Sequence, residues 1–285
     1  MNNIYDIWFA RVEVANRVKA KLYNKFTTEQ IYNFTEDDFI NQGLRAVSIE
    51  KFLDEKYRKD LDKYQNYMEK NNIAQIFIDD EKYPDKLKII QDRPTYIFAR
   101  GNLELMYEDN VAIVGSRNAS NYGKKIAFET AKELSNLNIN TVSGMANGVD
   151  SFAHLGSLQG KYGKTIAVLG NGLANSDIYP SNNIVLFDKI IKSGGLVISE
   201  YIIGTKAKPY YFPERNRIVA GLSNKILVTE ASTKSGTMIT VEYGLDQGKD
   251  IFAVPGRICD ENFSGTNKLI SEGAYVFTKT SDLLI

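Results

Sequence analysis

Residues 111–144 read VAIVGSRNASNYGKKIAFETAKELSNLNINTVSG, with an apolar run at each end. The first run is Val111–Val114 and the second is Ile139–Val142. Between them, Lys124–Leu137 has the length of a helix, and one of its sides carries Ile126, Thr130, Leu134 and Leu137. Short apolar runs bounded by turn residues indicate strands that are buried on both faces. The segment therefore predicts a strand–helix–strand unit with parallel strands.

The same alternation continues through the rest of the chain. Four more apolar runs follow, each bounded by Gly, Asn, Ser or Pro: Thr165–Leu169, Leu196–Ser199, Lys225–Thr229 and Ile251–Val254. Strands that alternate with helices predict an α/β protein with a doubly wound, mostly parallel sheet. Ligands of such sheets bind beyond the carboxyl ends of the strands, so the loops after the strands are the first places to search for function.

The N-terminal part of the chain differs in composition and in the spacing of its apolar residues. Residues 1–70 are polar, contain few glycines and show helical spacing, with Val14, Val18, Leu22 and Phe26 spaced as on one helix face. Thr27 or Thr28 and Thr35 are suitable helix starts. We expect a small helical module over 1–70, joined to an α/β domain over 71–285. An accessory role and direct contact with DNA are both open for this module.

Composition restricts the classes of function. Lysine plus arginine total 35 and aspartate plus glutamate total 35, so nucleic-acid binding would have to rest on local clusters of charge. One cysteine, Cys259, excludes an intrachain disulfide, and the lone His154 disfavours zinc. We expect neither a metal nor a cofactor. Met1–Val14 is not a secretory signal, and no apolar run approaches about 18 residues, which predicts a cytoplasmic protein without a membrane span.

The loop after the first strand of the unit contains chemistry suited to an anion. Gly115 permits a sharp turn, Ser116 supplies a hydroxyl, and Arg117 supplies a forked cation that matches phosphate. The loop continues through Asn121 into a helix whose first N–H groups are free to bind anions. The alternative interpretation is a plain turn with a surface arginine.

The loop after the second strand contains two glycines, and it leads through Asp150 into a helix that contains His154. Gly144 and Gly148 allow the backbone to approach a ligand closely. Asp150 is expected to cap the following helix rather than act as a catalytic acid. His154, one turn further on, is expected to be a packed structural histidine rather than a base.

The richest loop reads GTKAKPYYFPERNR, residues 204–217, and contains four cations, three aromatic residues and two prolines. Aromatic rings can stack on unpaired bases while cations hold the backbone, a combination typical of single-strand binders. The alternative is a structural loop, and we expect at least one of the three aromatic residues to be buried. Residues 170–183 indicate a turn and a helix cap that could line a ligand pocket beyond the ends of the strands.

The loop EASTKSGT, residues 230–237, is a second candidate phosphate-binding site. Small hydroxyl residues and a glycine before a helix can present N–H and O–H donors to a phosphate.

Nucleotide-cofactor motifs are incomplete in this chain. Gly170-Asn171-Gly172 lacks the third glycine of a dinucleotide fingerprint, and Gly163-Lys164-Thr165 precedes a strand instead of following one. No arrangement of paired acid and base residues stands out, so we expect no catalytic residues.

Several motifs, in this order, resemble the DNA-processing protein A family, also called DprA or Smf. They are Val-Gly-Ser-Arg at 114–117, Gly-x-x-x-Gly-Val-Asp-x-x-Ala-His at 144–154, Phe-Pro-Glu-Arg-Asn-Arg-Ile-Val-Ala-Gly at 212–221, Ser-Gly-Thr-x-x-Thr at 235–240 and Phe-Ala-Val-Pro-Gly at 252–256. The block at 212–221 is the most specific of them. The resemblance implies an extended Rossmann-like fold, a small SAM- or hairpin-like module at the N-terminus and a homodimer. It also implies single-stranded DNA binding, loading of a RecA-type recombinase in natural transformation, and no catalytic activity.

The loops and the resemblance together give a set of expected DNA-binding residues. They are Ser116, Arg117, Asn121, Gly144, Gly148, Lys208, Phe212, Arg215, Asn216, Arg217, Lys234, Ser235, Gly236 and Thr237. Gly144 and 235–237 are expected to form the pocket floor. Two features depart from the family: Asn147 stands where many relatives carry another residue, and the chain ends soon after Val276, without room for the winged-helix-like domain of some relatives.

Two other functions are compatible with the same pocket. One is a nucleoside-monophosphate phosphoribohydrolase-like enzyme, whose glycine-rich loop is echoed by 235–237 and Glu242, although Glu242 follows Thr237 by five residues where that pattern requires three. The other is a sensor of a small nucleotide signal. Release of free base from a nucleotide would distinguish the enzyme from the two binding functions.

Overall fold

A computed structural model describes residues 3–58 and 60–284, and its central layer is a nine-stranded sheet with the order β1-β2-β6-β5-β4-β3-β7-β8-β9. The strands are β1 (Ile73–Phe77), β2 (Tyr96–Gly101), β3 (Asn110–Val114), β4 (Asn140–Ser143), β5 (Thr165–Leu169), β6 (Leu196–Ser199), β7 (Lys225–Val228), β8 (Asp250–Ala253) and β9 (Tyr275–Val276).

The helices fall into an N-terminal group and a group that covers the sheet. The first group comprises α1 (Ile4–Arg11), α2 (Asn16–Tyr23), α3 (Thr28–Tyr32), α4 (Glu36–Asn41), α5 (Ala46–Lys56) and α6 (Leu61–Lys70). The second comprises α7 (Asp85–Lys88), α8 (Asn121–Asn136), α9 (Val149–Gln159), α10 (Ile184–Lys192), α11 (Tyr211–Gly221), α12 (Thr237–Asp246) and α13 (Ser264–Ser271).

The sheet confirms the predicted mostly parallel, doubly wound α/β class. All six predicted strands are present as β3 to β8, with ends that differ from the predicted ones by at most one residue, and they pair in parallel. Two strands that the pattern did not reveal, β1 and β2, extend the sheet in antiparallel fashion, with β2 paired to β6. The short β9 adds a parallel edge next to β8.

The position of β3 in the sheet determines where a ligand can bind. Ala112 of β3 pairs with Val142 of β4 on one side and with Ile226 of β7 on the other. The chain first builds outward through β4, β5 and β6, and only then returns to place β7 on the opposite side of β3. Such a reversal of strand order is a topological switch point, and the loops that leave β3, β4 and β7 surround a crevice there.

Alternating side chains of β3 place helices on both faces of the sheet. Val111 and Ile113 pack in one apolar cluster with residues of α8 and α9. Ala112 and Val114 point the other way and pack with residues of α11 and α12. The start of α8 lies three residues before the predicted one because the Ser120 hydroxyl caps it by accepting the N–H of Gly123 at 3.1 Å.

The predicted helix through Val14 and Phe26 is shorter in the structure than its spacing suggested. The helix α2 spans only Asn16–Tyr23, because a new helix begins at the predicted cap Thr27, whose side chain accepts the N–H of Gln30. Val14 and Phe26 nevertheless pack against the same apolar cluster as the buried Leu22. The predicted cap at Thr35 is also confirmed.

One apolar cluster spans the N-terminal helices and the sheet. Phe9, Leu22 and Phe52 of the helices share it with Tyr96 and Phe98 of β2. The helical region is therefore packed onto the antiparallel edge of the sheet. The division of the chain into 1–70 and 71–285 stays a prediction.

Lys19 is buried at this junction, and its charge makes the stability of the protein depend on pH. Its Nζ donates to the Ala10 carbonyl at 2.9 Å and to Tyr96 Oη at 2.5 Å, and burial lowers the pKa of Lys19 from 10.5 to about 7. A depressed lysine pKa means that the folded state resists protonation that the unfolded chain accepts. Stability is therefore lost as pH falls from 10.5 through about 7.

Lys19→Met is accordingly expected to raise the unfolding temperature at pH 6 to 7, because methionine fills the site without a charge to desolvate. The gain should shrink as the pH rises toward the ordinary lysine pKa. Thermal unfolding across this pH range measures it, with the exposed Lys21→Met on the same helix as the control. Parallel pH curves for wild type and Lys19→Met would contradict the prediction.

Candidate functional site

A cavity of about 490 Å³ lies at the switch point, beyond the carboxyl ends of the strands. Eight of the expected residues line it: Arg117, Gly144, Phe212, Arg215, Asn216, Ser235, Gly236 and Thr237. Six others lie outside its lining: Ser116, Asn121, Gly148, Lys208, Arg217 and Lys234. Glu242, on which the enzyme alternative depended, is exposed on α12 and also lies outside the lining.

Residues 211–217, which the sequence indicated as part of a loop, form the start of the helix α11. Pro213 is tolerated because it lies in the first turn, where its missing N–H has no intrahelical partner to lose. One face of this helix lines the cavity with residues spaced i, i+3, i+4 and i+7, namely Phe212, Arg215, Asn216 and Val219.

A cation and two aromatic rings form the mouth of the cavity. The Arg117 guanidinium carbon lies 5.0 Å from the centre of the Phe212 ring, and the Tyr179 ring centre lies 5.7 Å from that of Phe212. Arg117 is exposed and Phe212 is half-buried, so both can reach a ligand. The predicted burial of one aromatic residue of 210–212 is confirmed at Tyr211, whereas Tyr210 is exposed.

Arg215 provides a buried positive charge at the floor. Its side chain lies directly beneath Gly144, where any Cβ would overlap the guanidinium, and its Nη1 donates to the Val168 carbonyl. Burial lowers the pKa of Arg215 to about 10, a shift that the carboxylate of Asp150 opposes. The guanidinium therefore stays charged at neutral pH. Its Nε has no hydrogen-bond partner among the described residues.

Asp150 is not the helix cap that the sequence suggested. The N-cap of α9 is Gly148, and Asp150 lies inside the helix, where its Oδ2 accepts the N–H of Gly144 at 3.1 Å and of Ala146 at 3.3 Å. Burial raises the pKa of Asp150. The carboxylate shapes the glycine loop over Arg215 by capping that loop instead of the helix.

His154 is a packed structural histidine, as the sequence indicated. It is fully buried, its Nδ1 lies 2.6 Å from Thr165 Oγ1, and burial lowers its pKa to about 3. A neutral imidazole outside the cavity lining cannot serve as a base for a bound ligand.

Gly148 and Glu230 fix the backbone of the first loop. Gly148 has a φ of +78°, and a Cβ on it would overlap the carbonyl oxygens of Ser116 and Arg117. The backbone carbonyl of Glu230 accepts the N–H of Ser116 at 2.7 Å, and its buried carboxylate accepts the N–H of Ser120 at 2.9 Å. No role for Glu230 was predicted from the sequence, although an acidic residue directly after a predicted buried strand is a signal that could have indicated one.

The loop before α12 contributes hydroxyls and a helix end, and three N–H groups at the start of that helix are already bonded within the loop. The N–H of Thr237 is bonded to Ser235 Oγ, and the N–H groups of Met238 and Ile239 are bonded to carbonyls of the same loop. The predicted donation of several N–H groups to a phosphate is thus reduced by internal bonds. The positive end of the α12 dipole still points to the cavity through Gly236, whose Cβ position is open space.

Arg217 is placed in the protein interior rather than at the cavity. It is 3% exposed, its Nη2 lies 2.8 Å from both carboxylate oxygens of Glu200, and its Nε donates to the Asp92 carbonyl at 2.9 Å. Its Nη1 also donates to the Glu214 carbonyl at 2.9 Å, so four hydrogen bonds hold this buried guanidinium within the protein. We therefore expect Arg217 to stabilise the fold rather than to contact DNA.

Lys208, Asn121 and Lys234 stay predictions as ligand contacts. Lys208 Nζ lies 3.2 Å from a carboxylate oxygen of Glu13 in the N-terminal region, and Asn121 and Lys234 are exposed. In the described ranges, 3–58 and 60–284, no group of three or more His, Cys, Asp or Glu side chains could hold a metal ion. Within those ranges, none of the helices has the length and apolar character to cross a bilayer.

Comparison with known proteins identifies related sequences over most of the chain. Residues 74–285 match the family described as DNA recombination-mediator protein A. The DNA processing protein DprA of Streptococcus pneumoniae is 43% identical over 205 residues, which cover 72% of this chain and 71% of that protein. DprA of Bacillus subtilis is 35% identical over 241 residues, covering 84% of this chain and 80% of that protein.

Solved structures give the same relationship. The X-ray structure of DNA processing protein A from S. pneumoniae matches with a TM-score of 0.81 at 34% identity, covering 99% of this chain and 97% of that one. A structure of DNA processing protein A from Helicobacter pylori, described for its single-stranded DNA binding mode, matches with a TM-score of 0.66 at 29% identity. It covers 74% of this chain and 94% of the H. pylori chain.

Proposed function

Because this chain belongs to the DNA recombination-mediator protein A family, we propose that it binds single-stranded DNA in the cavity at the switch point and acts in DNA processing. The observation that carries the proposal is the pairing of Arg117 with the Phe212 ring above the buried Arg215. The H. pylori relative, described for single-stranded DNA binding, supports the same ligand class.

The shape of the cavity favours an unpaired strand. Its volume of about 490 Å³ lies in the range of small-molecule pockets, so it can take a nucleotide unit but not a duplex. An unpaired base exposes its π face, and the rings of Phe212 and Tyr179 offer surfaces on which it can stack. In a duplex these faces are covered by neighbouring base pairs.

Two arginines and one carboxylate, that of Asp150, line the cavity, so its charge is positive although the chain is neutral overall. Arg117 at the mouth and Arg215 at the floor are joined by the positive end of the α12 dipole. The fork of Arg117 can donate two hydrogen bonds to one phosphate. Binding should therefore weaken as salt increases, with a logarithmic slope of about 0.7 for each phosphate neutralised.

The wider role is proposed on the basis of family membership. The protein is proposed to act in the cytoplasm as a homodimer that protects incoming single strands and loads a RecA-type recombinase onto them in natural transformation and recombination. The absence of catalysis is part of this proposal. It is supported by the Asp150 carboxylate, which is occupied by loop N–H groups, and by the neutral, buried His154. The N-terminal helices are proposed to be a separate accessory module.

Arg117→Ala is expected to weaken binding of a labelled single-stranded oligonucleotide roughly 10- to 100-fold, because hydrogen bonds to charged groups contribute about 1.5–3 kcal/mol. The salt slope should become less steep by about 0.7. Fluorescence anisotropy across a salt series measures both, with duplex DNA as the competitor. The exposed Arg45→Ala in the N-terminal region is the matched control and should bind like wild type.

This titration, an assay for release of base and a thermal-shift measurement together separate the three candidate functions. Unchanged affinity of Arg117→Ala, or equal affinity for duplex and single strand, would contradict single-strand binding in the cavity. Release of free base from a nucleotide would identify an enzyme instead. Thermal stabilisation by a mononucleotide, without stabilisation by an oligonucleotide, would identify a nucleotide sensor.

A further inference from the structure

A second cation–aromatic pair lies outside the cavity. The Nζ of Lys124 lies 5.8 Å from the centre of the Phe152 ring, a geometry similar to that of Arg117 over Phe212. Phe152 is 36% exposed, and neither Phe152 nor Lys124 belongs to the cavity lining. No carboxylate in the described part of the chain, 3–58 and 60–284, forms an ion pair with Lys124.

This pair lies at the same end of the sheet as the cavity but over the other face. Lys124 is in the first turn of α8 and Phe152 is in the first turn of α9, the two helices that follow β3 and β4. These helices cover the sheet face opposite to that of α11, which carries Phe212. The first turns of all these helices face the carboxyl ends of the parallel strands.

The backbone between the two pairs is continuous and closely packed. The N–H of Phe152 donates to the Gly148 carbonyl at 3.2 Å, and Gly148 in turn lies against the carbonyls of Ser116 and Arg117. Asn147, next to Gly148, is exposed. A strand that leaves the cavity beside Arg117 can cross the exposed Asn147 and then arrive at Phe152.

We propose that Lys124 and Phe152 form a second stacking subsite, which takes a nucleotide of the same single strand outside the cavity. The inference rests on the proposed function. In this subsite, a base stacks on the exposed Phe152 ring while the Lys124 ammonium contacts a neighbouring phosphate. The strand thereby crosses from one face of the sheet to the other, and the Arg117 loop is the crossing point.

The packing of α9 supports a ligand-facing role for Phe152. Its neighbours in the same turn, Val149 and Ala153, are buried in the cluster between the helices and the sheet, but Phe152 is not part of that cluster. The ring is therefore not needed to fill the core. A single exposed apolar residue is common on protein surfaces. Here the exposed ring is paired with a cation at the ligand-binding end of the sheet, and this combination points to an unpaired nucleotide.

The test compares labelled oligothymidines of two lengths: one of roughly three nucleotides, which the cavity alone can engage, and one of roughly ten, which can also reach the second subsite. Phe152→Ala is expected to weaken binding of the longer strand about five- to tenfold, at the lower end of the range for one stacked base. Binding of the shorter strand should not change. Phe152→Tyr should bind like wild type because it keeps the aromatic face.

Further variants test the contribution of the Lys124 charge and the importance of where the charge and the ring lie. Lys124→Gln is expected to reduce the salt slope for the longer strand by about 0.7, as for the loss of one phosphate contact. Lys125→Gln, an exposed lysine one residue further along α8, should leave the slope unchanged. Tyr162→Ala removes a ring that is 60% exposed beyond the far end of α9 and should also have no effect.

The proposal would be overturned if Phe152→Ala, with an unchanged unfolding temperature, bound the longer strand like wild type. Equal weakening for the two lengths would also overturn it, since the effect would then act through the cavity. These failures leave the proposed function intact, because wild type would still bind single strands through Arg117. Failure of wild type to bind either oligothymidine would instead overturn the proposed function and this subsite with it.

Discussion

Gly148→Ala is expected to lower the free energy of unfolding by about 3–5 kcal/mol and to weaken single-strand binding at least tenfold. Gly148 has φ +78° and ψ −129°, a backbone conformation that an alanine adopts only with strain of about 1–3 kcal/mol. Its Cβ would also overlap two backbone oxygens, those of Ser116 and Arg117, and overpacking costs about 1–3 kcal/mol more. Backbone cannot rotate away as a flexible side chain can, so the Arg117 loop must shift.

Urea unfolding and anisotropy on the same preparation measure the two effects of Gly148→Ala. Gly236→Ala is the matched control, because Gly236 also borders the cavity but has φ −59° and nothing within 4 Å of its Cβ position. We expect Gly236→Ala to change the unfolding free energy by less than about 0.5 kcal/mol. Equal stability of the two variants would show that the first loop does not depend on the close approach at Gly148.

The central sheet was predictable because its strands are buried on both faces. A run such as Thr165–Leu169 has few interpretations other than a buried strand, since it is short, apolar and bounded by turn residues. The antiparallel strands β1 and β2 were not predicted. Their positions depend on the antiparallel pairing of Phe98 with Ser199 on β6, about 100 residues away in the chain, and no local pattern encodes such a partner.

The composition of the site was predictable, but the direction of its side chains was not. The block 212–217 was identified by its cations and aromatic rings, yet it was assigned to a loop instead of the start of α11. Two residues along a helix correspond to a rotation of about 200° around its axis, so the two side chains point to nearly opposite sides. Arg215 and Arg217 therefore lie on opposite sides, one beneath the cavity and one beside Glu200, and a motif alone does not say which arginine faces the ligand.

Arg217→Ala is expected to destabilise the protein by about 3–5 kcal/mol, the usual cost of removing one partner from a buried ion pair. Glu200, whose side chain is only 12% exposed, would lose its guanidinium partner, and the Asp92 carbonyl would lose a donor. Well below the unfolding temperature, the variant should still bind single-stranded DNA within about threefold of wild type, a difference below 1 kcal/mol. Denaturant unfolding and anisotropy at low temperature measure these two quantities separately.

The pH dependence of Arg217→Ala gives an independent check on the mechanism. Burial already raises the pKa of Glu200 above its ordinary value of 4.5, and loss of Arg217, which opposes that rise, should raise it further. A carboxyl whose pKa is raised in the folded state adds stability below its unfolded pKa and loses it as the pH rises through the folded one. The destabilisation should therefore be largest at neutral pH and should shrink as the pH falls toward 4.5.

Neutralising the remaining partner separates a structural role of Arg217 from a DNA contact. In the double variant Glu200→Gln with Arg217→Ala, no uncompensated charge is buried, so part of the lost stability should return and the pH dependence should flatten. If Arg217→Ala instead weakened DNA binding tenfold and left the unfolding free energy unchanged, the guanidinium would have to leave Glu200 to reach the strand. The buried ion pair would then be a state of the free protein that DNA replaces.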